Sequence, residues 1–186
     1  MQRLTFRLWD LLLLGMVRRN ISRRVAMVDL RLQSGPQVTG SEDKEWQMEC
    51  TVKWTGSGMS FLAETGSNHA LVMDGAPEAG GRNLAPRPME LLLAGTGGCA
   101  AYDVVLILKK GRQAVAGCEV SLRAERAESE PRVFTSIHFH FRVSGKQLKP
   151  EAVARAIELS KEKYCSASIM LGKTAAITHD FEIIET

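Results

Sequence analysis

Between Pro88 and Gly111 the sequence holds one unbroken helical stretch with almost no polar side, and this stretch constrains everything around it. Pro88 suits a first helical position, because proline lacks the N–H that the first turn leaves unused, and Gly111 suits a stop. Leu91, Leu92, Leu93, Ala100, Val104, Val105, Leu106, Ile107 and Leu108 leave no face for water. A helix that is apolar all round is expected to be buried on all sides. Its middle carries Gly95, Gly97 and Gly98. Each costs about 1 kcal/mol relative to alanine in a helix interior, so a close contact should compensate. One domain of this size has little else to wrap such a helix, which points to dimerisation through it.

The segments around the helix read as strands. Three short β-type stretches precede it, at about 49–56, 58–66 and 69–74, followed by a Gly/Pro/Ala-rich loop from Gly75 to Arg87. After it, a strand at about 115–127 alternates Cys118, Val120, Leu122 and Ala124 with Glu119, Ser121, Arg123 and Glu125. A second, at 133–143, alternates Val133, Thr135, Ile137, Phe139, Phe141 and Val143 with Ser136, His138, His140 and Arg142, a period of two. Pro150 opens a helix to about Lys163, a short helical piece lies near 166–172, and a last strand covers about 175–184. The order β-β-β-α-β-β-α-α-β predicts an α+β fold with a largely antiparallel sheet rather than a Rossmann alternation.

The chain has 186 residues, 45% of them hydrophobic and 24% charged, which excludes disordered, collagen-like and disulfide-scaffold classes. Its net charge of +3 is too small to imply nucleic-acid binding. The excess sits in the first 47 residues, where eight basic side chains (Arg3, Arg7, Arg18, Arg19, Arg23, Arg24, Arg31, Lys44) face five acidic ones (Asp10, Asp29, Glu42, Asp43, Glu45). The apolar run Leu11–Val17 is too short to span a bilayer. Arg18-Arg19-Asn20 stands where a secretion signal needs small residues, although the segment would suit a basic amphipathic surface helix. A linker-like stretch from Gln33 to Asp43 follows, and strand-like alternation begins at Met48. The expected organisation is a basic N-terminal extension and linker over 1–47, added or mis-started, and a domain over 48–186.

Chemistry has few candidates. Among Cys50, Cys99, Cys118 and Cys165 no C-x-x-C pair occurs, so zinc-ribbon and thioredoxin readings have no support. Cys50 and Cys118 lie in strand patterns and read as small buried hydrophobes. Cys99 sits mid-helix beside glycines, and Cys165 at a break before Ser166-Ala167-Ser168. For this pair the residues alone leave open buried filler or a reactive thiol. His138 and His140 form an H-x-H pair without a third ligand nearby in sequence, so a solvated strand face is the better reading. No Walker A or dinucleotide fingerprint is present. Neither a metal site nor a cofactor is expected.

The string Pro86-Arg87-Pro88-Met89-Glu90-Leu91-Leu92-Leu93-Ala94-Gly95-Thr96-Gly97-Gly98-Cys99 resembles the cysteine-bearing helix of the OsmC/Ohr family. Glu162-Lys163-Tyr164-Cys165-Ser166, 66 residues beyond the first cysteine, resembles the second cysteine motif, and the detail is nearest the YhfA-like subgroup. The likeness covers residues 48–186. It implies an OsmC-like fold: an intertwined cytoplasmic homodimer, antiparallel sheets wrapped around a long buried central helix, and sites at the subunit interface. It implies cysteine-dependent reduction of organic hydroperoxides. Cys99 would attack the peroxide, Cys165 would resolve the sulfenic acid as a disulfide, and a thiol reductant such as a lipoyl protein would reopen it.

The sequence departs from the family's peroxidases in three ways. Their acidic residue stands ten before the first cysteine, where this chain has Met89, while Glu90 stands nine before. Nine residues turn a helix by about 900°, which leaves Glu90 roughly opposite Cys99 and able to meet only a partner subunit's site. Gly58-Met59-Ser60 offers no arginine in the early strand, leaving Arg82 and Arg87 of the loop as substitutes. Asp103, four residues after Cys99, shares its helix face and should raise the thiol pKa. Two functions are therefore expected: a weak thiol peroxidase using Cys99, Cys165 and Glu90, or a non-peroxidase dimer of the same fold that binds a small lipophilic ligand or senses redox state.

Overall fold

A computed structural model describes residues 48–186, and the readings placed on residues 1–47 lie outside the described part. The long helix, α1, runs Pro88–Lys110 and stops at Gly111, the bounds that its proline and glycine predict. Before it, β1 (Cys50–Trp54), β2 (Phe61–Thr65) and β3 (Ala70–Met73) form an antiparallel meander. After it come β4 (Ala114–Arg126), β5 (Phe134–Lys146), α2 (Pro150–Leu159), α3 (Ser166–Leu171) and β6 (Ala176–Glu185). The second sheet has the order β4-β5-β6.

β4 and β5 pair antiparallel, whereas β6 pairs parallel to β5. The helical crossover α2–α3 returns the chain to the end of the sheet from which β5 started, and a parallel partner is what such a crossover delivers. The core lies between this sheet and the helices. Val104, Leu108, Ile137, Phe139, Phe141, Val143, Val153, Ala156 and Ile157 are all buried in it, each larger side chain contributing about 1.5–3 kcal/mol by leaving water.

In β5 the phase of burial differs from a strict alternation. Phe134 is buried, while Val133 and Thr135 are exposed. Glu125 pairs with Ser136 and Arg126 with Phe134, so Thr135 is an extra residue on β5. A bulge of this kind shifts every side chain beyond it to the opposite face.

Among the described residues, the helix is not buried on all sides. Thr96, Gly97, Ala100, Val104 and Leu108 face the core, but Tyr102 is 70% exposed and Leu92 44%. Among the described residues, only one of the three glycines meets a neighbour. A Cβ on Gly97 would lie 2.5 Å from Leu122 Cδ1, so glycine there lets β4 lie against the helix, whereas Gly95 and Gly98 have nothing within 4 Å. By length and composition α1 would pass for a membrane span. Its packing against β4, α2 and α3 makes it a core helix instead.

Among the described residues, nothing covers the meander either. Trp54 is 59% exposed, Val52 53% and Val72 48%, and none of its strands hydrogen-bonds to the second sheet. This openness corrects the expectation for Cys50, which is exposed on β1 rather than buried. Cys118 is half-buried against the core, as its alternation predicts.

Candidate functional site

α1, α3 and the turn between α2 and α3 bring together the residues that the sequence marks for chemistry. α2 ends at Leu159, earlier than its sequence pattern suggests, and the chain widens into a π turn over Ser160–Tyr164. The Cys165 N–H donates to the Ser160 carbonyl at 2.8 Å, closing that turn. Wide turns of this type interrupt a helix to reposition side chains, often at functional sites. Here the turn aims Ser160 and Cys165 at one face of α1.

On that face stand Cys99 and, one turn later, Asp103. One ligand atom from each of Cys99, Asp103 and Cys165 lies within 4.8 Å of the other two. Cys165 is fully buried, and its Sγ accepts from Ser168 Oγ at 3.1 Å and from the Ser168 N–H at 3.4 Å. Its own S–H points to the Thr96 carbonyl of α1, 4.0 Å away. Ser160, also buried, donates its hydroxyl to Asp103 Oδ2 at 3.2 Å.

The Cys99 thiol titrates above the ordinary thiol value. Desolvation contributes most, followed by its hydrogen bond with Cys165. The charges of Cys165 and Asp103 add in the same direction, while the Ala167 N–H pulls the other way. The sequence expectation for Asp103 agrees in sign, but Asp103 is the last of these causes rather than the leading one.

Glu90 is not brought to this cluster. Its carboxylate accepts from the Arg87 N–H at 2.9 Å, capping the first turn of α1. Nine residues place it about 13 Å along the helix from Cys99. Met89, ten residues before Cys99, packs against the core. His138 and His140 occupy the exposed face of the second sheet. The parallel register sets them beside Thr178 and Asp180, with His138 Nδ1 2.9 Å from Thr178 Oγ1 and His140 Nδ1 2.6 Å from Asp180 Oδ1.

Sequence reasoning misses Ser160, Ser168 and Asp74. Serines in helical stretches carry no distinctive signal, and the roles of these two depend on the π turn. Asp74 follows β3 and anchors the loop before α1. It accepts from the N–H groups of Gly75 (2.8 Å), Arg82 (3.1 Å) and Leu84 (3.0 Å) and from Ser60 Oγ (3.1 Å). The signal was present, because an Asp followed by Gly at a strand end commonly makes this kind of turn.

With this geometry established, comparison with known proteins gives the chain its relatives. The family model described as OsmC-like protein matches residues 80–180. The chain belongs to the OsmC-like family. Within 137 residues, covering 74% of this chain and 98% of the relative, it is 52% identical to Protein YhfA of Escherichia coli strain K12. Among solved structures, a hypothetical protein from Aquifex aeolicus VF5 superposes with a TM-score of 0.66 at 27% identity, over 76% of this chain and 99% of that one. An organic hydroperoxide resistance protein OsmC from Legionella pneumophila superposes with a TM-score of 0.57 at 13% identity, over 74% of this chain and 97% of that one, which shows a shared fold. The α+β OsmC-like architecture expected from the motifs is thus the fold of this chain.

Proposed function

We propose that this OsmC-like protein is a thiol-dependent reductase of organic hydroperoxides, working as a cytoplasmic homodimer, with Cys99 as the attacking thiolate and Cys165 as the resolving thiol. The observation that carries the proposal is the convergence of two sulfurs, 66 residues apart in sequence, at one point beneath α1. The name of the Legionella relative supports the substrate class. The uncovered stripe of α1 and the open β1–β3 meander support a second copy of the chain, since a three-stranded meander with both faces in water is marginal by itself.

The chemistry follows from the positions. Cys99 is only half-buried, so a peroxide can reach it. Its thiolate attacks the terminal oxygen, the O–O bond breaks, and the organic half leaves as an alcohol once protonated. Cys99 is then a sulfenic acid. Cys165 attacks the Cys99 sulfur, water leaves, and a disulfide remains, which an external dithiol such as a lipoyl protein reduces. The Ser168 hydroxyl and N–H steady the Cys165 sulfur for its attack. Because the Cys99 pKa is raised, the thiolate is scarce at neutral pH and turnover is slow there, rising toward alkaline pH. Glu90 acts in the isolated chain as a helix cap, and a place in the reaction would need the partner subunit's site.

A second reading has its own support: a dimeric OsmC-fold protein that binds a lipophilic ligand or senses redox state. Among the described residues, none of the groups acting on Cys99 is a cation. An open, mostly apolar cleft of about 380 Å³, lined by Gly98, Ala101, Tyr102, Val105, Leu106 and Lys109, lies on α1 beside Cys99, a surface that a lipophilic ligand or a second copy of the chain would cover.

Incubating the reduced protein with cumene hydroperoxide separates the two readings. The peroxidase reading expects peroxide loss with a Cys99–Cys165 disulfide mapped by mass spectrometry. No turnover and no disulfide would leave the binding reading.

A further inference from the structure

Peroxide chemistry gives Asp103 no use. A carboxylate beside an attacking thiolate repels the charge that the attack requires. A cation uses all three side chains. The donor atoms of Cys99, Cys165 and Asp103 lie within 4.8 Å of one another. Two sulfurs and a carboxylate oxygen are three of the four donors that zinc takes, at about 2.3 Å for sulfur and 2.0–2.2 Å for oxygen. Small side-chain rotations would bring these atoms to that spacing. The supporting shell is also in place: Ser160 Oγ holds Asp103 Oδ2 at 3.2 Å, and Ser168 donates twice to Cys165 Sγ. Outer hydrogen bonds of this kind orient ligands and stabilise thiolate charge in metal sites.

We propose that Cys99, Cys165 and Asp103 form a binding site for a zinc-type divalent cation, with its fourth position open to water or an external thiol. The two thiolates select a borderline or soft ion over Mg²⁺ or Ca²⁺, which prefer all-oxygen shells. As each S–Zn bond forms, the thiol releases its proton to solvent, and no electron changes hands. Bound zinc withdraws electron density from the Cys99 thiolate and holds the two sulfurs beyond S–S bonding distance, so it slows sulfenic acid formation and prevents the disulfide while it is bound. That consequence rests on the thiol-peroxidase reading, but the site itself does not.

The test uses the full chain, reduced and stripped with a chelator, titrated with Zn²⁺ against a chromophoric competitor, and with Co²⁺ followed by its thiolate charge-transfer absorption. The expected result is one ion per chain, abolished by C99S and by C165S. D103N and S160A should each weaken binding about tenfold or more. The C118S and H138A/H140A variants should bind as the parent does. Thermal melts of each metal-free variant identify any that fail to fold, and protection of Cys99 from iodoacetamide by Zn²⁺ in the parent gives a readout needing no variant. Absence of stoichiometric binding with no protection overturns the site. Binding that survives C99S/C165S and vanishes in H138A/H140A also overturns it, placing the metal on the exposed sheet face. Unchanged affinity in D103N removes the carboxylate from the ligand set and overturns the three-ligand form. Peroxide turnover of the metal-free protein is measured separately, so failure of either reading is visible without the other.

Discussion

Asp103 shares with Cys99 the one face of α1 that meets Cys165, and its charge adds to the burial that holds the Cys99 thiol above its ordinary pKa. Removing that charge tests how far it contributes. In metal-free protein, D103N lowers the Cys99 pKa, because a repulsion against the thiolate is lost while burial and the Cys165 hydrogen bond remain. Alkylation of Cys99 at pH 7 then accelerates, by an order of a few-fold. The check is the iodoacetamide rate plotted against pH. An unmoved midpoint would assign the whole effect to desolvation and Cys165.

Gly97 and Gly98 are adjacent yet predict different failures. A side chain at Gly97 meets Leu122 Cδ1 at 2.5 Å, whereas Gly98 faces open space in one chain. G97V overpacks the contact between helix and sheet and should cost about 1–3 kcal/mol in chemical denaturation. G98L leaves the fold of one chain intact and obstructs whatever covers α1. Sedimentation should therefore show dimer in the parent and monomer in G98L, with unchanged far-ultraviolet circular dichroism.

The contrast between these glycines also shows what a sequence can and cannot tell. Pro88 and Gly111 mark the helix ends through local backbone chemistry, so α1 was legible to the residue. The pairing of Cys99 with Cys165 was legible only as a family motif, since no local rule joins residues 66 apart. Thr135 hid its bulge because it alternates correctly with its neighbours, and only the partner strand reveals the extra residue. The parallel pairing of β6 depends on where the α2–α3 crossover lands, which is a tertiary outcome. Ser160 was invisible for the same reason: its contact with Asp103 exists only after the π turn forms. Family resemblance makes Glu90 a site residue, while its local position also fits a capping acid in the first helical turn.

Asp74 predicts an acid limb in the stability profile. Hydrogen bonds from Leu84, Gly75, Arg82 and Ser60 outweigh the opposing effect of burial and hold its carboxyl below the usual carboxylate range. A carboxyl with a depressed folded-state pKa stabilises the fold above its unfolded value, near 3.9, and this contribution disappears as pH falls through the lower, folded value. D74N should lower Tm at pH 7 by several degrees. The parent should lose its advantage over D74N below about pH 4 as the carboxylate is protonated. Melting curves from pH 2 to 7 check both the size and the convergence.

Cys165 offers the sharpest test of the order of events. If Cys99 attacks first, C165S leaves the attacking thiol intact and removes only the resolving step. Serine at this position keeps nearly the same volume in the buried pocket and can still accept from Ser168, so the fold should persist. With cumene hydroperoxide, C165S should consume about one equivalent of peroxide per chain and stop, with the oxidised Cys99 captured as a dimedone adduct. C99S should consume none, and C118S should behave as the parent, because Cys118 is half-buried on β4 and absent from the cluster. Mass spectrometry of the trapped species decides the roles. An adduct on Cys165 in C99S, in place of one on Cys99 in C165S, would reverse them, and the buried position of Cys165 argues against that outcome because peroxide reaches the half-exposed sulfur more easily.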